Sequence, residues 1–437
     1  MHLSQILNTN TLKLSRTGQQ SLRPGQIVQG EVLKLYPENK AEIRLGGTRL
    51  VASLQVGLEL GGSYHFQVAS TAKSPQLRVI GEQLKKDEKV DLSTLLKQLG
   101  MKANKHNLQL LQLLTRYAVP FDKNELKQAM QLLKGEKNKT QATGALVEVL
   151  AKKLPMTKMV LQSLITVRTT TLSEQLTSVI QQLTNASPLQ SGAPEDFALR
   201  TGTGTEQRLH QIITTLIPSK QEADVKSFQS LPPKEMFLEQ LRQSLSVLGL
   251  NYENRFITEK DPGNRSDTIK GLLLQLASGE DSSQARSQTR LLHMIQGLQL
   301  QSVNETPSAI QAMLQIPAER LGLVKDLMIE FEGKKNDEGE INSDYCRILF
   351  YLELGNLKET VIDVHIQQRA VSLTIFNNTS GIPTLANTFK DKLSENLTNL
   401  NYRLTSIAFK KLEEKSDLPT IFDEKFPENK QGVDFRI

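Results

Sequence analysis

The sequence is poor in the residues that most often build catalytic and metal centres. Its 437 residues include no tryptophan and a single cysteine, Cys346, and aromatic residues make up 5% of the chain. One cysteine excludes an intramolecular disulfide and any metal site that needs several thiolates. Because Cys346 falls inside a predicted strand, we expect it to be a buried, unreactive thiol.

Recognisable catalytic and cofactor motifs are missing as well. The six histidines lie far apart, and none has the i, i+4 partner or nearby cysteine that is typical of a zinc site. The sequence around Gly202 and Gly204 lacks the remainder of a phosphate-binding loop, and there is no G-x-S-x-G sequence. We therefore expect no catalytic residue, no cofactor and no metal. An unrecognised hydrolase is the enzymatic alternative.

Long apolar runs are also lacking. No stretch approaches the roughly 18 residues that a membrane-spanning helix needs. The segment from Met1 to Leu22 lacks the basic-then-apolar order of a signal peptide. Hydrophobic residues make up 38% of the chain and the mean hydropathy is −0.34. The sequence predicts a cytoplasmic protein of several domains.

The charge balance is only mildly basic. The chain has 53 Lys and Arg against 47 Asp and Glu, and the two signs are interspersed. Short lysine clusters, such as Lys152 with Lys153, are typical of solvated helix ends. Nucleic acid is therefore only an alternative partner.

The N-terminal part has a β pattern. After a flexible arm at 1–23, five short apolar runs are separated by turn signals such as Pro37-Glu38-Asn39-Lys40. The predicted strands cover residues 26–35, 41–45, 48–53, 63–68 and 76–80. Their predicted core residues are Ile27, Val32, Ile43, Leu50, Phe66 and Val68. Five short strands predict a small barrel at 24–83, for which OB-like and SH3-like closure both fit.

The middle of the chain changes to a helical period. We expect helices at 84–184 and again at 231–318, with a low-complexity linker rich in Ser, Gly, Pro, Thr and Gln at 185–230. Leu126, Met130 and Leu133 form one apolar stripe, and Asp122 with Glu125 predicts the start of that helix. Thr171 and Glu174 form a second capping-box pattern.

The last hundred residues predict a sheet with one helix. Apolar residues alternate in four runs, at 327–332, 346–354, 360–366 and 370–376, and a fifth run follows at 402–409. Between the last two runs, an apolar stripe with helical spacing contains Leu385, Phe389, Leu393, Leu397 and Leu400. This ββββαβ order predicts an α+β domain at 319–412, in which the helix packs across an antiparallel sheet, followed by a tail at 413–437.

The run from Leu349 to Phe409 resembles the C-terminal domain of the flagellar hook-length control family, and of its large Gram-positive members in particular. The residues that carry the resemblance are the step Leu352-Glu353-Leu354-Gly355-Asn356-Leu357 and the segments that follow it: Val361–Ile366, Ala370–Phe376, Leu385–Leu400 and Leu404–Phe409. The family commonly has a Pro-x-x-Leu-Gly form at that step, and the proline is missing here. The barrel also looks like the front end of some of these large members.

The resemblance implies a non-enzymatic role in flagellar assembly. Members of the family regulate substrate switching of the flagellar type III export apparatus by contact with the cytoplasmic domain of the export switch protein. It also implies that export of the chain itself could occur without a signal peptide. This middle region is helical, whereas that of typical members is disordered, so action as a length ruler does not follow.

The candidate contact residues lie in two turns and the tail. They are Leu352, Leu354, Gly355, Asn356 and Leu357 in the first turn, Gln367, Gln368 and Arg369 in the second, and Val433 and Phe435 in the tail. For the three leucines, an ordinary place in the core is the competing interpretation.

A nucleic-acid-binding barrel is the alternative function. Its candidate residues would be Lys34, Lys40, Arg44 and Arg49, with Tyr36, Tyr64 and Phe66 as the aromatic residues available for base stacking.

Overall fold

A computed structural model describes residues 22–45, 48–71, 75–81, 83, 88–185, 204–217, 233–253, 268–277, 283–305, 309–336 and 341–412. The described residues divide into two compact units, 22–161 and 162–412. The predicted fold class is confirmed: the structure has an N-terminal barrel, a helical middle and a C-terminal sheet with a helix.

The first unit begins with a closed five-stranded barrel. Its strands are β1 (Ile27–Tyr36), β2 (Lys40–Leu45), β3 (Thr48–Leu54), β4 (Ser63–Ser70) and β5 (Gln76–Ile80), in the order β1-β2-β3-β5-β4. β1 closes the barrel against β4, and β3 runs parallel to β5. This order matches the OB-like alternative, in which the fourth and fifth strands exchange places.

The barrel interior confirms most of the predicted core. Val32, Ile43, Phe66 and Val68 are fully buried in the barrel core, and Leu50 packs against them partly buried. Ile27 is buried too, but it is not part of this core and pairs with Phe121 instead. Glu38 and Asn39 have positive φ angles in the predicted β1–β2 turn. Local turn signals and alternating apolar residues therefore place these strands correctly.

Helices complete the first unit. They are α1 (Glu88–Gln98), α2 (Lys105–Arg116), α3 (Lys123–Lys134), α4 (Lys139–Ala151) and the start of α5 (Lys158–Thr169). Asp122 and Glu125 form the predicted capping box of α3. In α4 every residue from Ala142 to Leu150 is buried, which makes it the central helix of this bundle. Ile27 and Phe121 join barrel and bundle through a β-bridge.

In the described residues, the second unit contains the rest of α5 and five further helices before its sheet. These are α6 (Leu172–Asn185), α7 (Gly204–Leu216), α8 (Pro233–Leu248), α9 (Ile269–Leu276) and α10 (Ser283–Ser302). The prediction of a low-complexity linker over the whole of 185–230 is wrong, because α7 lies within that range. Leu209, Ile213 and Leu216 follow helical spacing and are fully buried, so packing stabilises a helix within a polar composition.

A seven-stranded sheet ends the described chain. Its strands are β6 (Val303–Glu305), β7 (Ala309–Ile316), β8 (Leu327–Lys335), β9 (Ile341–Leu354), β10 (Lys358–Gln367), β11 (Ala370–Phe376) and β12 (Arg403–Lys410). The spatial order is β12-β11-β10-β9-β8-β7-β6, and α11 (Ile382–Thr398) connects β11 to β12.

Two predictions about this sheet are wrong. The region predicted to be helical up to residue 318 ends in two strands, β6 and β7, because β7 pairs along its whole length with β8. The sheet is also not wholly antiparallel. β12 runs parallel to β11, since the intervening helix returns the chain to the starting end of β11.

Within the described ranges, no helix is long and apolar enough to cross a membrane.

Candidate protein-binding surface

The two candidate turns lie at opposite ends of one strand. The step from Leu352 to Leu357 forms the β9–β10 turn, and Gln367 to Arg369 forms the β10–β11 turn. β10 has ten residues, which corresponds to a separation of roughly 30 Å. The structure therefore does not bring the two predicted sets together into one site.

In the first turn only Gly355 and Asn356 are exposed. Leu352 packs against the core cluster that contains Leu327 and Ile329, together with Phe237 of α8. Leu354 and Leu357 are half-buried. Leu352 therefore stabilises the domain, in agreement with the competing core interpretation.

The second turn is exposed but firmly held. Gln368 and Arg369 both have positive φ angles, as a two-residue type I′ hairpin turn requires. Arg369 Nε donates to Asp344 Oδ1 at 2.9 Å, and its guanidinium lies 5.6 Å from the centre of the Tyr402 ring. The Arg369 side chain thus already has two partners within the domain. The remaining candidates, Val433 and Phe435, lie outside the described residues.

α11 presents a different surface, which we call the α11 apolar face and define as Leu385, Phe389 and Leu400. The helix begins after Gly381, whose φ of 88° suits the turn that precedes it, and Pro383 occupies its first turn. Leu385 and Phe389 are one helical turn apart and lie on the same side. Leu400 follows the helix in the turn before β12 and is exposed as well.

The α11 apolar face is exposed. Leu385 is 54% exposed, Phe389 60% and Leu400 55%. The predicted packing of the whole stripe on the sheet is wrong, because only its other margin, formed by Ile382, Leu393 and Leu397, is buried or half-buried. α11 packs beside β12, the last strand of the sheet, so little apolar surface lies under it. Large apolar side chains grouped on a surface are typical of binding sites.

The segment from Ile382 to Leu412, which contains this face, has more basic than acidic residues. Lys390 and Lys392 on α11 are exposed, as are Arg403 and Lys410 on β12 and Lys411 after it. The only acidic residues between Ile382 and Leu412 are Asp391 and Glu395. The α11 apolar face therefore has the chemistry of a site for an acidic, apolar polypeptide segment.

The same sheet contains a buried polar row that the sequence did not reveal. Arg347 on β9 donates two hydrogen bonds to Asp363 on β10, at 3.0 and 2.9 Å, and His365 Nε2 lies 3.1 Å from Asp363 Oδ1. Burial raises the pKa of Asp363, but hydrogen bonds from His365 and Arg347 outweigh it and hold the pKa below its ordinary value of 3.8. This arrangement joins the two central strands that support β11 and α11.

The barrel residues proposed for nucleic acid are partly neutralised. Arg44 forms an ion pair with Glu31, and Lys40 Nζ lies 2.7 Å from Glu38 Oε2. Tyr64 and Phe66 are buried in the barrel core, so they offer no stacking surface. Tyr36 is 37% exposed and lies beside Lys34, whose Nζ is 5.6 Å from the ring centre.

No group of three or more His, Cys, Asp or Glu side chains could hold a metal ion within the part of the chain that the structure describes. Cys346 is half-buried in β9, and burial raises the pKa of its thiol. Its chemistry is that of a poorly ionised, weakly nucleophilic thiol.

Comparisons with known proteins agree with the N-terminal fold. Residues 5–78 match the model of the TP0910 S1-like domain. The chain is also 30% identical over 217 residues to the uncharacterized protein YlqG of Bacillus subtilis (strain 168). That alignment covers 45% of this chain and 37% of the relative, so the chain spans well under half the length of the relative it matches. No solved structure matches.

Proposed function

We propose that this chain is a non-catalytic regulatory protein that acts by binding another protein through its C-terminal domain. We propose that it acts as the flagellar hook-length control proteins do. It would regulate substrate switching of the flagellar type III export apparatus by binding the cytoplasmic domain of the export switch protein. The exposure of the α11 apolar face is the observation that carries the proposal, because a domain that leaves Leu385 and Phe389 in water gains free energy when a partner covers them.

One further observation supports the choice of partner class. The elements from β9 to β12 follow the order of the run that resembles the hook-length control domain, including the helix between the last two strands. The two turns proposed as contacts are less suited, since Leu352 packs, partly buried, against the core and Arg369 is held within the domain. We therefore place the contact on α11.

The test is binding of the full chain to the purified cytoplasmic domain of the export switch protein from the same organism. The variant L385D/F389D places two charges on the α11 apolar face and should weaken binding at least tenfold. The matched control is V56D/L60D, which changes two equally exposed apolar residues on the barrel, 60% and 66% exposed. It should bind like the native chain.

Equal binding by L385D/F389D and the native chain would remove α11 from the interface. If no form binds, including a chain that ends at Leu412, the export switch protein is not the partner of this chain.

Nucleic-acid binding by the barrel is the second candidate. The match of residues 5–78 to an S1-like domain favours it, because domains of this kind commonly bind nucleic acid. Arg44 and Arg49 lie opposite each other on β2 and β3, where they could contact successive phosphates. The test is a gel shift with single-stranded RNA at 50 and 200 mM salt. Binding that weakens with salt and is lost in R44E/R49E would support it, and salt-independent or absent binding would reject it.

A further inference from the structure

β12 is the last strand of the sheet, and one of its edges is open. Among the described residues it pairs with β11 on one side and with no strand on the other. The backbone oxygen of Lys410 accepts the N–H of Asn377 at 2.9 Å, so Lys410 directs its backbone groups toward β11. Pairing continues without a shift from Ser406 to Lys410, and successive residues of a strand direct their backbone groups to opposite sides. Ile407 and Phe409 therefore direct their N–H and C=O groups to the outer edge.

α11 lies on one face of this edge strand. Ile407 and Phe409 are half-buried, whereas their neighbours Ser406, Ala408 and Lys410 are exposed. The side chains of a strand alternate between its two faces. α11 packs on β12 more extensively than on any other element, so the face that contains Ile407 and Phe409 is the one that α11 covers. A strand added to the outer edge of β12 would lie directly beside this helix.

The exposed side chains of α11 lie on the flank next to its packed side. Successive helical residues are about 100° apart, which places Ile382, Leu393 and Leu397 within one narrow arc. Leu385 and Phe389 lie on the adjacent arc. Over the interior of the sheet such large side chains would be covered, yet they are 54% and 60% exposed. This flank therefore extends past β12, and a further strand would lie beneath it.

The charge of β12 indicates what kind of strand fits its outer edge. β12 contains Arg403 and Lys410 and no acidic residue, and both basic side chains are exposed. The N–H of Arg403 donates to the backbone oxygen of Arg369 at 2.9 Å, so Arg403 has the same orientation as Lys410 and lies on the face opposite α11. An incoming strand that alternates apolar and acidic residues would place its apolar side chains beneath α11 and its carboxylates beside Arg403 and Lys410. A second copy of β12 fits less well, because it would bring the basic residues of both copies together.

We propose that the outer edge of β12 binds an extended, acidic segment of a partner protein as an eighth strand of the sheet. The N–H and C=O groups of Ile407 and Phe409 hydrogen-bond to the backbone of that segment, and its alternate apolar side chains pack against Leu385 and Phe389. Backbone pairing supplies affinity that two apolar side chains alone do not, and the alternation supplies specificity. The identity of the partner as the export switch protein rests on the proposed function, whereas strand addition does not.

The first test uses the full chain and a synthetic peptide probe, EVEVTVEVE, which alternates acidic and apolar residues. Fluorescence anisotropy should show binding that L385D/F389D weakens at least tenfold and that V56D/L60D leaves unchanged. Two control peptides separate alternation from charge: VVEETEEVV has the same composition without the alternation, and KVKVTVKVK has the opposite charge. Each should bind at least tenfold more weakly than EVEVTVEVE. Equal binding of the three peptides, or no binding of EVEVTVEVE, would overturn the proposal.

The second test separates backbone pairing from side-chain contact. Ile407→Pro removes an outward N–H without removing a hydrogen bond to β11, and Ile407→Ala removes the same side chain but keeps that N–H. Ile407→Pro should weaken binding of EVEVTVEVE at least tenfold, and Ile407→Ala less than threefold. Circular dichroism checks that both variants are folded. Equal losses in two folded variants would show that the strand edge is not used.

Hydrogen exchange of the native chain needs no variant and decides the question if Ile407→Pro does not fold. With saturating EVEVTVEVE, the N–H groups of Ile407 and Phe409 should exchange at least tenfold more slowly. Those of Ala408 and Lys410, which already face β11, should change less. Unchanged exchange at Ile407 and Phe409 would contradict strand addition. Light scattering tests the other occupant, because a dimer of the native chain that Ile407→Pro abolishes would mean that a second copy, and not an acidic segment, occupies the edge.

Strand addition and the proposed function fail in different ways. If EVEVTVEVE binds as expected but no form of the chain binds the export switch protein, strand addition stands and the proposed function is wrong. If the export switch protein binds the native chain and Ile407→Pro equally, the proposed function stands and strand addition is wrong. The combined expectation is that EVEVTVEVE competes with the export switch protein for the native chain and that VVEETEEVV does not.

Discussion

Asp326 caps a helix that lies more than 150 residues before it in the sequence. Its Oδ2 accepts the backbone N–H of Leu172 at 2.8 Å, and its carboxylate also accepts hydrogen bonds from Ser173 and from Gln315 Nε2. The first turn of α6 is thus held by a carboxylate at the start of β8. Helix starts have unpaired N–H groups and a partial positive charge, so a buried carboxylate there stabilises both.

We predict that Asp326→Ala destabilises the second unit by about 2–4 kcal/mol, because it leaves several buried donors without an acceptor. Urea unfolding followed by circular dichroism measures this. Thr171→Ala is the matched control, since Thr171 Oγ1 accepts only the exposed N–H of Glu174, at 3.2 Å, in the same helix start. That variant should cost about 1 kcal/mol or less. Equal losses in both variants would show that Asp326 is no more than an ordinary cap.

The Arg347–Asp363 pair gives a prediction about pH. Removing one partner of a buried pair leaves the other unpaired, so Asp363→Asn should lower the free energy of unfolding by about 3–5 kcal/mol at pH 7. The pKa of Asp363 is held below its ordinary value of 3.8, so its contribution is complete above that value and is lost as the pH falls through the lower, folded-state pKa. The stability difference between native chain and variant should therefore shrink below about pH 4.

The measurement is urea unfolding of both forms at pH 7, 5 and 3. Asp344→Asn is the control, because Asp344 pairs with Arg369 at the surface, where both side chains are more than 40% exposed. Its effect should be about 1 kcal/mol or less at every pH. A difference between the native chain and Asp363→Asn that stayed constant down to pH 3 would contradict the assignment of the lowered pKa to this pair.

Gly30 is required by close packing inside the barrel. A Cβ atom at this position would lie 2.5 Å from Leu45 Cδ2, 2.8 Å from Ile43 Cγ2 and 3.1 Å from the Phe66 ring. Gly30→Val should therefore destabilise the first unit by about 1–3 kcal/mol, because three packed side chains must shift. Gly57→Val is the control, since nothing lies within 4 Å of its Cβ position. Thermal unfolding should show a lower Tm only for Gly30→Val, and equal Tm values would show that the barrel core is loosely packed.

The sequence predicted the elements whose signals are local. The β1–β2 turn at Glu38 and Asn39 and the capping box of Asp122 and Glu125 are both short-range patterns, and both are present. The strand β7 was missed for a physical reason. Its residues, AIQAMLQI, are mostly good helix formers, and pairing with β8 overrides that preference.

The candidate site shows the other limit of sequence interpretation. The stripe from Leu385 to Leu400 revealed which side of the helix is apolar, but a stripe does not say what covers it. What covers the stripe depends on which strands the helix packs against. α11 packs beside β12, the edge strand of the sheet. The parallel direction of β12 was available in principle, because a helix between two adjacent strands returns the second strand in the same direction as the first.

The last prediction separates the exposed face from the core by stability alone. Leu385→Ala and Phe389→Ala should each change the free energy of unfolding by less than about 1 kcal/mol, because side chains that are already in water lose little on truncation. Leu349→Ala on β9 is the comparison, since Leu349 is fully buried, and it should cost about 2–5 kcal/mol. The measurement is urea unfolding of each form at pH 7. Losses near that of Leu349→Ala would mean that the face is core and not a binding surface.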